Sequence, residues 1–142
     1  MGPLHTLNGP RTRFIEQACG GLVGKRALDI GCGGGILAEA LAAKGASALG
    51  IDLAEAALDV ARPHATKSGL KIDYRACPAE TLAAEQAGSF DLACCMEMLE
   101  HVPDPASVVR ACGQLVKPGG GDISEHLRAR EAAAPDALLK RQ

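Results

Sequence analysis

Three groups of residues have types and spacings that could carry chemistry. The first is an acid followed by a glycine cluster, DIGCGGG at residues 29–35, and the second is the lone acid Asp52. The third is formed by Glu97, Glu100 and His101, which share one face if this segment is helical. Glycines let the backbone approach a ligand and adopt positive φ. We therefore expect a ligand site built around a glycine turn, with acids beside it.

The glycine cluster fits two kinds of nucleotide site. Counted from Gly33, it reads G-x-G-x-x-A with Ala38, a dinucleotide turn, and Asp52 follows nineteen residues after Gly33. Counted from Asp29, it reads D-x-G-C-G-x-G and resembles the first motif of class I methyltransferases that use S-adenosylmethionine (AdoMet). A cationic sulfonium ligand without a pyrophosphate suits an acid beside the turn better. A glycine turn that binds nothing is a further alternative.

Alternating apolar and helix-prone stretches surround these residues. The predicted strands are 25–30, 47–51, 70–77 and 89–95, and the predicted helices are 10–19, 36–44, 53–68, 81–87 and 105–116. This alternation predicts an α/β fold with a parallel, Rossmann-like sheet and right-handed crossovers. A ligand then belongs at the carboxyl ends of the strands, where Gly31, Asp52, Cys77 and Met96 are expected to gather.

Composition excludes several classes of function. The 142 residues suffice for one domain, and a formal charge of −2 with 2% aromatic residues argues against nucleic-acid binding. No membrane span or signal peptide is visible, which predicts a cytoplasmic protein. The six cysteines lack metal-like spacing and are expected to be reduced packing residues, with Cys94 and Cys95 on opposite faces of a strand.

Longer motifs carry a more specific resemblance. They are LDIGCGGGILAEALA at 28–42, GIDLAEAALDVARPHA at 50–65, SGLKIDYR at 68–75 and CMEMLEHVPDPASVVRACGQLVKPGG at 95–120. Over residues 3–120 the chain resembles the bacterial ubiquinone-biosynthesis O-methyltransferase family. The resemblance implies a class I fold and AdoMet-dependent methylation of the phenolic hydroxyls of 2-polyprenyl-6-hydroxyphenol and 3-demethylubiquinol.

The resemblance also implies roles for individual residues in cofactor binding. Arg11 would pair with the AdoMet carboxylate, and Asp52 would accept hydrogen bonds from both ribose hydroxyls. Met96 would pack against the cofactor, although an ordinary core methionine fits its spacing equally well. Asp52 could also cap the following helix. The full set of predicted cofactor contacts is Arg11, Asp29, Gly31, Gly33, Gly35, Asp52 and Met96.

For catalysis the resemblance points to the 97–101 segment. A phenol must lose its proton to become a good methyl acceptor, so His101 would act as a general base, with Glu100 beside it. Eukaryotic relatives use a Glu/Glu/His set in this motif for Mg²⁺, which here corresponds to Glu97, Glu100 and His101. One histidine nitrogen cannot serve both roles. The alternative is a locally hydrogen-bonded His101 with both glutamates facing water.

The chain departs from the family pattern after Gly120. The family continues into a fifth strand and an acceptor-capping region, whereas this chain reads GDISEHLRAREAAAPDALLKRQ, which contains no obvious strand. We therefore expect a sheet truncated after about four strands. The expected organisation is an N-terminal lead-in and short helix at 1–24, an AdoMet-binding α/β domain at 25–121 and a charged helical or disordered tail at 122–142.

Three functional hypotheses follow. The first is an O-methyltransferase whose substrate is a prenylated phenol or quinol. This hypothesis leaves open whether the protein associates peripherally with the inner membrane or with a ubiquinone-biosynthesis complex. The second is a non-catalytic AdoMet-binding remnant or interaction module. The third is a nicotinamide-dependent dehydrogenase, suggested by the G-x-G-x-x-A spacing.

Overall fold

The computed structural model describes residues 3–95, 103–124 and 138–140. The strands are β1 Arg26–Ile30, β2 Ser47–Asp52, β3 Ile72–Ala76, β4 Phe90–Cys95, β5 Val116–Ser124 and β6 Leu138–Lys140. The helices are α1 Pro3–Cys19, α2 Ile36–Ala43, α3 Glu55–Lys67, α4 Ala79–Gln86 and α5 Pro105–Leu115. Through α5, the elements therefore follow the predicted alternation closely.

The six strands form one sheet in the order β3-β2-β1-β4-β5-β6. Strands β1 to β5 are parallel, and β6 runs antiparallel to β5. The chain moves outward from β1 to β3 and then returns to place β4 on the other side of β1. This reversal creates a crevice at the carboxyl ends of β1 and β4, which is where open α/β sheets bind ligands. The Rossmann-like fold class is confirmed.

Helices cover both faces of the sheet, with a separate apolar cluster on each side. One cluster joins Ile15 of α1 and Leu41 of α2 to the sheet, while the other joins Leu82 of α4 and Leu115 of α5 to it. Cys94 belongs to the first cluster and Cys95 to the second, so the predicted opposite orientation of these neighbours is confirmed. All six cysteines lie among the described residues, and none of them forms a disulfide.

The expectation of a sheet ending after about four strands is wrong. Residues 121–124 pair with Leu92–Cys95 of β4, and β6 then pairs with β5. Between the paired positions Val116 and Gly121, β5 contains four residues where β4 contains one, so the ladder is interrupted by an irregular bulge. Pro118 and the left-handed Gly119, at φ 85°, lie in this interruption. The proline-glycine run predicts that the sheet ends here. In the structure, the run instead forms a bulge within β5, which pairs with the buried β4.

The N-terminal segment also differs from its expected structure. Helix α1 begins at Pro3 rather than at Pro10, and Pro10 lies inside it. Pro63 likewise lies inside α3, which runs from Glu55 to Lys67 as one helix.

The residues after 121 also differ from the expected helical or disordered tail. The described residues 122–124 and 138–140 are strand rather than helix. Within the described residues, no helix combines the length and apolar character needed to cross a membrane.

Candidate functional site

The glycine turn leaves β1 and leads directly into α2. The Gly31 N–H and the Cys32 N–H both donate to the Ile51 carbonyl oxygen, at 2.8 and 2.9 Å, which anchors the turn to β2. Gly33 and Gly35 have φ values of 54° and 87°, a region that other residues rarely adopt. A Cβ atom added to Gly33 or to Gly34 would meet nothing within 4 Å. The turn is therefore fixed from behind and its backbone is open to a ligand.

Asp52 connects the end of β2 to this turn. Its Oδ2 accepts a hydrogen bond from the Gly33 N–H at 2.9 Å, and its Oδ1 accepts one from the Ala54 N–H at 2.9 Å. The N-cap position of α3 is Ala54 and no side chain caps it, so the alternative in which Asp52 caps this helix is wrong. The carboxylate instead joins the glycine turn to the residue before α3. Each carboxylate oxygen keeps a further lone pair. Asp52 can therefore position the turn and still accept hydrogen bonds from hydroxyl groups.

A cleft of about 210 Å³ opens beside Asp52 at the carboxyl ends of the strands. Gly31, Asp52 and Cys77 line it together, which confirms that these three predicted residues gather. Met96, the fourth, lies outside the described residues. The remaining lining residues are Ile30, Ile51, Leu53, Pro78, Ala79, Glu80, Pro103, Asp104 and Val108. The cleft thus combines apolar walls with three carboxylates, a combination that suits a flat, partly polar ligand.

One wall of the cleft is built by the first turns of α4 and α5, which the sequence analysis did not assign to the site. The Asp104 Oδ1 caps α5 by accepting from the Ser107 N–H at 3.2 Å. The Ser107 hydroxyl donates to Glu80 Oε2 at 2.8 Å and so joins the two helices. The position of these two helix starts in the chain could have identified them, because each one follows a strand that ends at the ligand edge of the sheet.

Asp29 lies in β1 behind the glycine turn and is only 4% exposed. Burial raises the pKa of its carboxyl group to about 7, and the nearby Asp52 carboxylate adds to the rise. Burial disfavours the charged form of a carboxyl group, and a second negative charge nearby disfavours it further. With a pKa of about 7, Asp29 exchanges between its protonated and ionised forms near neutral pH.

Tyr74, Gly50, Asp29 and Cys94 form one row across β3, β2, β1 and β4. A Cβ atom on Gly50 would lie 2.7 Å from the Tyr74 ring and 2.9 Å from the sulfur of Cys32. The absence of a side chain at Gly50 therefore makes room for both groups. Burial raises the pKa of the Cys32 thiol and of the Tyr74 hydroxyl, with Asp29 among the smaller causes of each rise.

The structure leaves part of the predicted site untested. Met96, Glu97, Glu100 and His101 lie outside the described residues, and Arg11 is seen only as part of the α1 backbone. No group of three potential metal ligands occurs among the residues that are described. The described geometry therefore brings together the glycine turn, Asp29, Asp52 and Cys77. Catalytic and metal roles for the 97–101 segment stay predictions.

The reversed strand order, the glycine turn after β1 and the acid at the end of β2 define a nucleotide-binding type of α/β domain, which class I methyltransferases share with dinucleotide-binding enzymes. Comparison with known proteins identifies the methyltransferase class. The chain belongs to the methyltransferase domain family, which matches residues 28–121.

Individual relatives and a solved structure show which methyltransferases this chain resembles. The chain is 62% identical over 118 residues to the ubiquinone biosynthesis O-methyltransferase of Bordetella pertussis, covering 83% of this chain and 49% of the relative. It is 58% identical to the protein of the same name from Acinetobacter baylyi, covering 83% and 50%. An S-adenosylmethionine-dependent methyltransferase from Clostridium acetobutylicum superposes with a TM-score of 0.70 at 27% identity, covering 80% and 48%. The chain spans about half the length of the curated relatives it matches.

Proposed function

We propose that this chain binds AdoMet in the cleft beside Asp52 and methylates a phenolic hydroxyl of a ubiquinone precursor. The observation that carries the proposal is the placement of Asp52, whose carboxylate holds the open glycine turn and also lines the apolar cleft. The relatives named ubiquinone biosynthesis O-methyltransferase support the substrate class. The proposed substrates are 2-polyprenyl-6-hydroxyphenol and 3-demethylubiquinol.

The residues of the cleft fit an adenosyl amino acid. Ile51, Leu53 and Val108 provide apolar contacts for an adenine ring. Asp52 offers two carboxylate oxygens to the ribose hydroxyls at the end of β2, and such charge-assisted bonds are among the stronger ones in proteins. The glycine turn then accepts the amino-acid end, because its outer backbone carries no side chain. In this proposal Arg11, near the middle of α1, pairs with the ligand carboxylate.

The chemistry divides between the cofactor and this chain. AdoMet supplies an electrophilic methyl group when it is bound. The chain supplies alignment through the cleft and removes the phenolic proton through His101, since a phenolate is a far better nucleophile than a phenol. The alternative within this proposal is Mg²⁺ held by Glu97, Glu100 and His101, which would lower the pKa of a coordinated phenol. A prenylated substrate further suggests peripheral contact with a membrane.

A methyl-transfer assay tests this proposal. Purified protein is incubated with AdoMet carrying a labelled methyl group and a short-chain demethylubiquinol, and we expect label in the quinol product. His101→Ala should abolish transfer, whereas His64→Ala should retain it because His64 is exposed on α3 and pairs with Glu39. Binding of AdoMet without transfer would contradict the catalytic part and favour a binding remnant. Binding of NADH in place of AdoMet would favour a dehydrogenase.

The metal alternative has its own test within the same assay. If Glu97, Glu100 and His101 hold Mg²⁺, EDTA should stop transfer, added Mg²⁺ should restore it, and Glu100→Gln should remove this response. Transfer that is indifferent to both EDTA and Mg²⁺ would leave His101 as the base and exclude the metal site. Asp59→Asn, which removes an exposed negative charge on α3, serves as the control for a general loss of negative charge.

A further inference from the structure

Ser107, in the first turn of α5, bonds to two of the carboxylates that line the cleft. Its N–H donates to Asp104 Oδ1 at 3.2 Å, and its hydroxyl donates to Glu80 Oε2 at 2.8 Å. Val108, the next residue in the chain, lines the cleft as well, whereas Ser107 itself is not one of the lining residues. A single residue outside the lining is therefore connected to three residues that face a ligand.

The two hydrogen bonds of Ser107 depend on its side chain to different degrees. The bond to Asp104 uses the backbone N–H and caps α5, so it persists when the side chain is changed. The bond to Glu80 needs the hydroxyl, which is the only donor that a serine side chain offers. Removal of the hydroxyl alone therefore breaks the link between α4 and α5 and leaves the helix cap in place.

The position of the Glu80 carboxylate depends on this hydroxyl. Glu80 is an exposed residue in the first turn of α4. In the part of the chain that the structure describes, Ser107 is the one residue that forms a hydrogen bond or an ion pair with its side chain. An exposed glutamate without a donor rotates among several conformations, and fixing one of them when a ligand binds costs free energy.

We propose that Ser107 is a positioning residue for the cofactor cleft: its hydroxyl holds the Glu80 carboxylate at the start of α5, so that the wall formed by α4 and α5 is ordered before an adenosyl ligand binds. This inference rests on the proposed AdoMet function and adds to it a residue that does not touch the ligand. It predicts that loss of the hydroxyl weakens ligand binding and does so through Glu80.

Calorimetric titration with S-adenosylhomocysteine measures the contribution of the hydroxyl. Ser107→Ala should weaken binding by about two- to tenfold, which corresponds to the ordering of one flexible side chain. The thermal midpoint of unfolding should stay close to that of the unaltered chain, because the cap of α5 remains. Ser107→Thr keeps a hydroxyl and should retain the affinity. Ser68→Ala, which removes an exposed hydroxyl at the end of α3, should retain it too.

A double-mutant cycle shows whether Ser107 acts through Glu80. Glu80→Ala removes the carboxylate that the hydroxyl holds, so adding Ser107→Ala in that background should cause no further loss of affinity. An equal loss with and without the Glu80 carboxylate would overturn the proposal, because a purely structural effect of Ser107 does not require Glu80.

The possible failures can be told apart. Unchanged affinity in a folded Ser107→Ala variant would overturn the role of Ser107 and leave the proposed function intact. If Ser107→Ala fails to fold, Ser107→Thr and Ser107→Val decide the question, since these two side chains have nearly the same shape and differ in the hydroxyl. Equal affinity of that pair would overturn the role. The absence of any binding heat with the unaltered protein would instead overturn the proposed function, and the role of Ser107 with it.

Discussion

At the scale of single residues, two acids at the ligand edge of the sheet have different surroundings. Asp52 accepts two backbone N–H bonds at the glycine turn and before α3. Asp29 is buried in β1, and burial together with the Asp52 carboxylate raises its pKa to about 7. The sequence identified both residues, but the raised pKa of Asp29 depends on burial and on a neighbour from another strand, which no local pattern contains.

The raised pKa of Asp29 predicts how folding stability changes with pH. The folded protein binds this proton more tightly than the unfolded chain, because the pKa rises from 3.8 to about 7 on folding. The contribution of Asp29 to the free energy of unfolding should therefore be full below about pH 4 and be lost as pH rises to about 7. The loss should amount to at most about 1.4 kcal/mol per pH unit.

Urea denaturation from pH 4 to pH 8 measures this dependence, with Asp29→Asn compared with the unaltered chain. Asparagine cannot ionise, so the variant should lose the decline and become relatively more stable toward pH 8. A decline of the same size in both proteins would show that another group causes it.

The Tyr74 hydroxyl gives a second prediction at this scale. It is buried and has no hydrogen-bond partner among the described residues. Removing an unsatisfied buried hydroxyl relieves a desolvation cost, so Tyr74→Phe should raise the free energy of unfolding by about 1 kcal/mol. Tyr74→Leu is the contrast, since it also removes the ring that packs over Gly35 and Gly50 and should be destabilising. A Tyr74→Phe variant less stable than the original would reveal a partner for the hydroxyl.

At the scale of elements, the glycine turn shows how much the sequence determines. The strand, turn and helix at 26–43 form where the apolar runs and glycines place them, and the ligand edge follows from the alternation. The lining contributed by Glu80, Asp104 and Val108 was not predicted, because it depends on how α4 and α5 pack side by side. Local patterns specify elements more fully than they specify the contacts between elements.

Gly35 should be the least replaceable residue of the turn. Its φ of 87° is unfavourable for other residues, and an added Cβ would overlap the Tyr74 hydroxyl. Gly35→Ala should therefore lower the free energy of unfolding by at least about 2 kcal/mol. Gly34→Ala is a matched control, because a Cβ there meets nothing within 4 Å and its φ lies outside the strained range. Equal thermal stability of the two variants would refute this account of the turn.

At the scale of the whole molecule, β5 and β6 extend the sheet beyond the glycine-rich run at 119–121. That run has low strand propensity, so sequence alone favours an end to the sheet. Pairing with β4, which is buried on both faces, overrides this local preference through tertiary context. The crevice between β1 and β4 is therefore flanked by further strands on both sides, β2 and β3 beside β1, and β5 and β6 beside β4.

The central claim is that the cleft beside Asp52 binds an adenosyl amino acid, and calorimetric titration with S-adenosylhomocysteine tests it most directly. We expect one ligand per chain, and at least about tenfold weaker binding by Asp52→Ala, because two charge-assisted hydrogen bonds of about 1.5–3 kcal/mol each are lost. Asp59→Ala, which alters an exposed acid on α3, should bind like the unaltered chain. Unchanged affinity in a folded Asp52→Ala variant, or no binding by the unaltered protein, would contradict the claim.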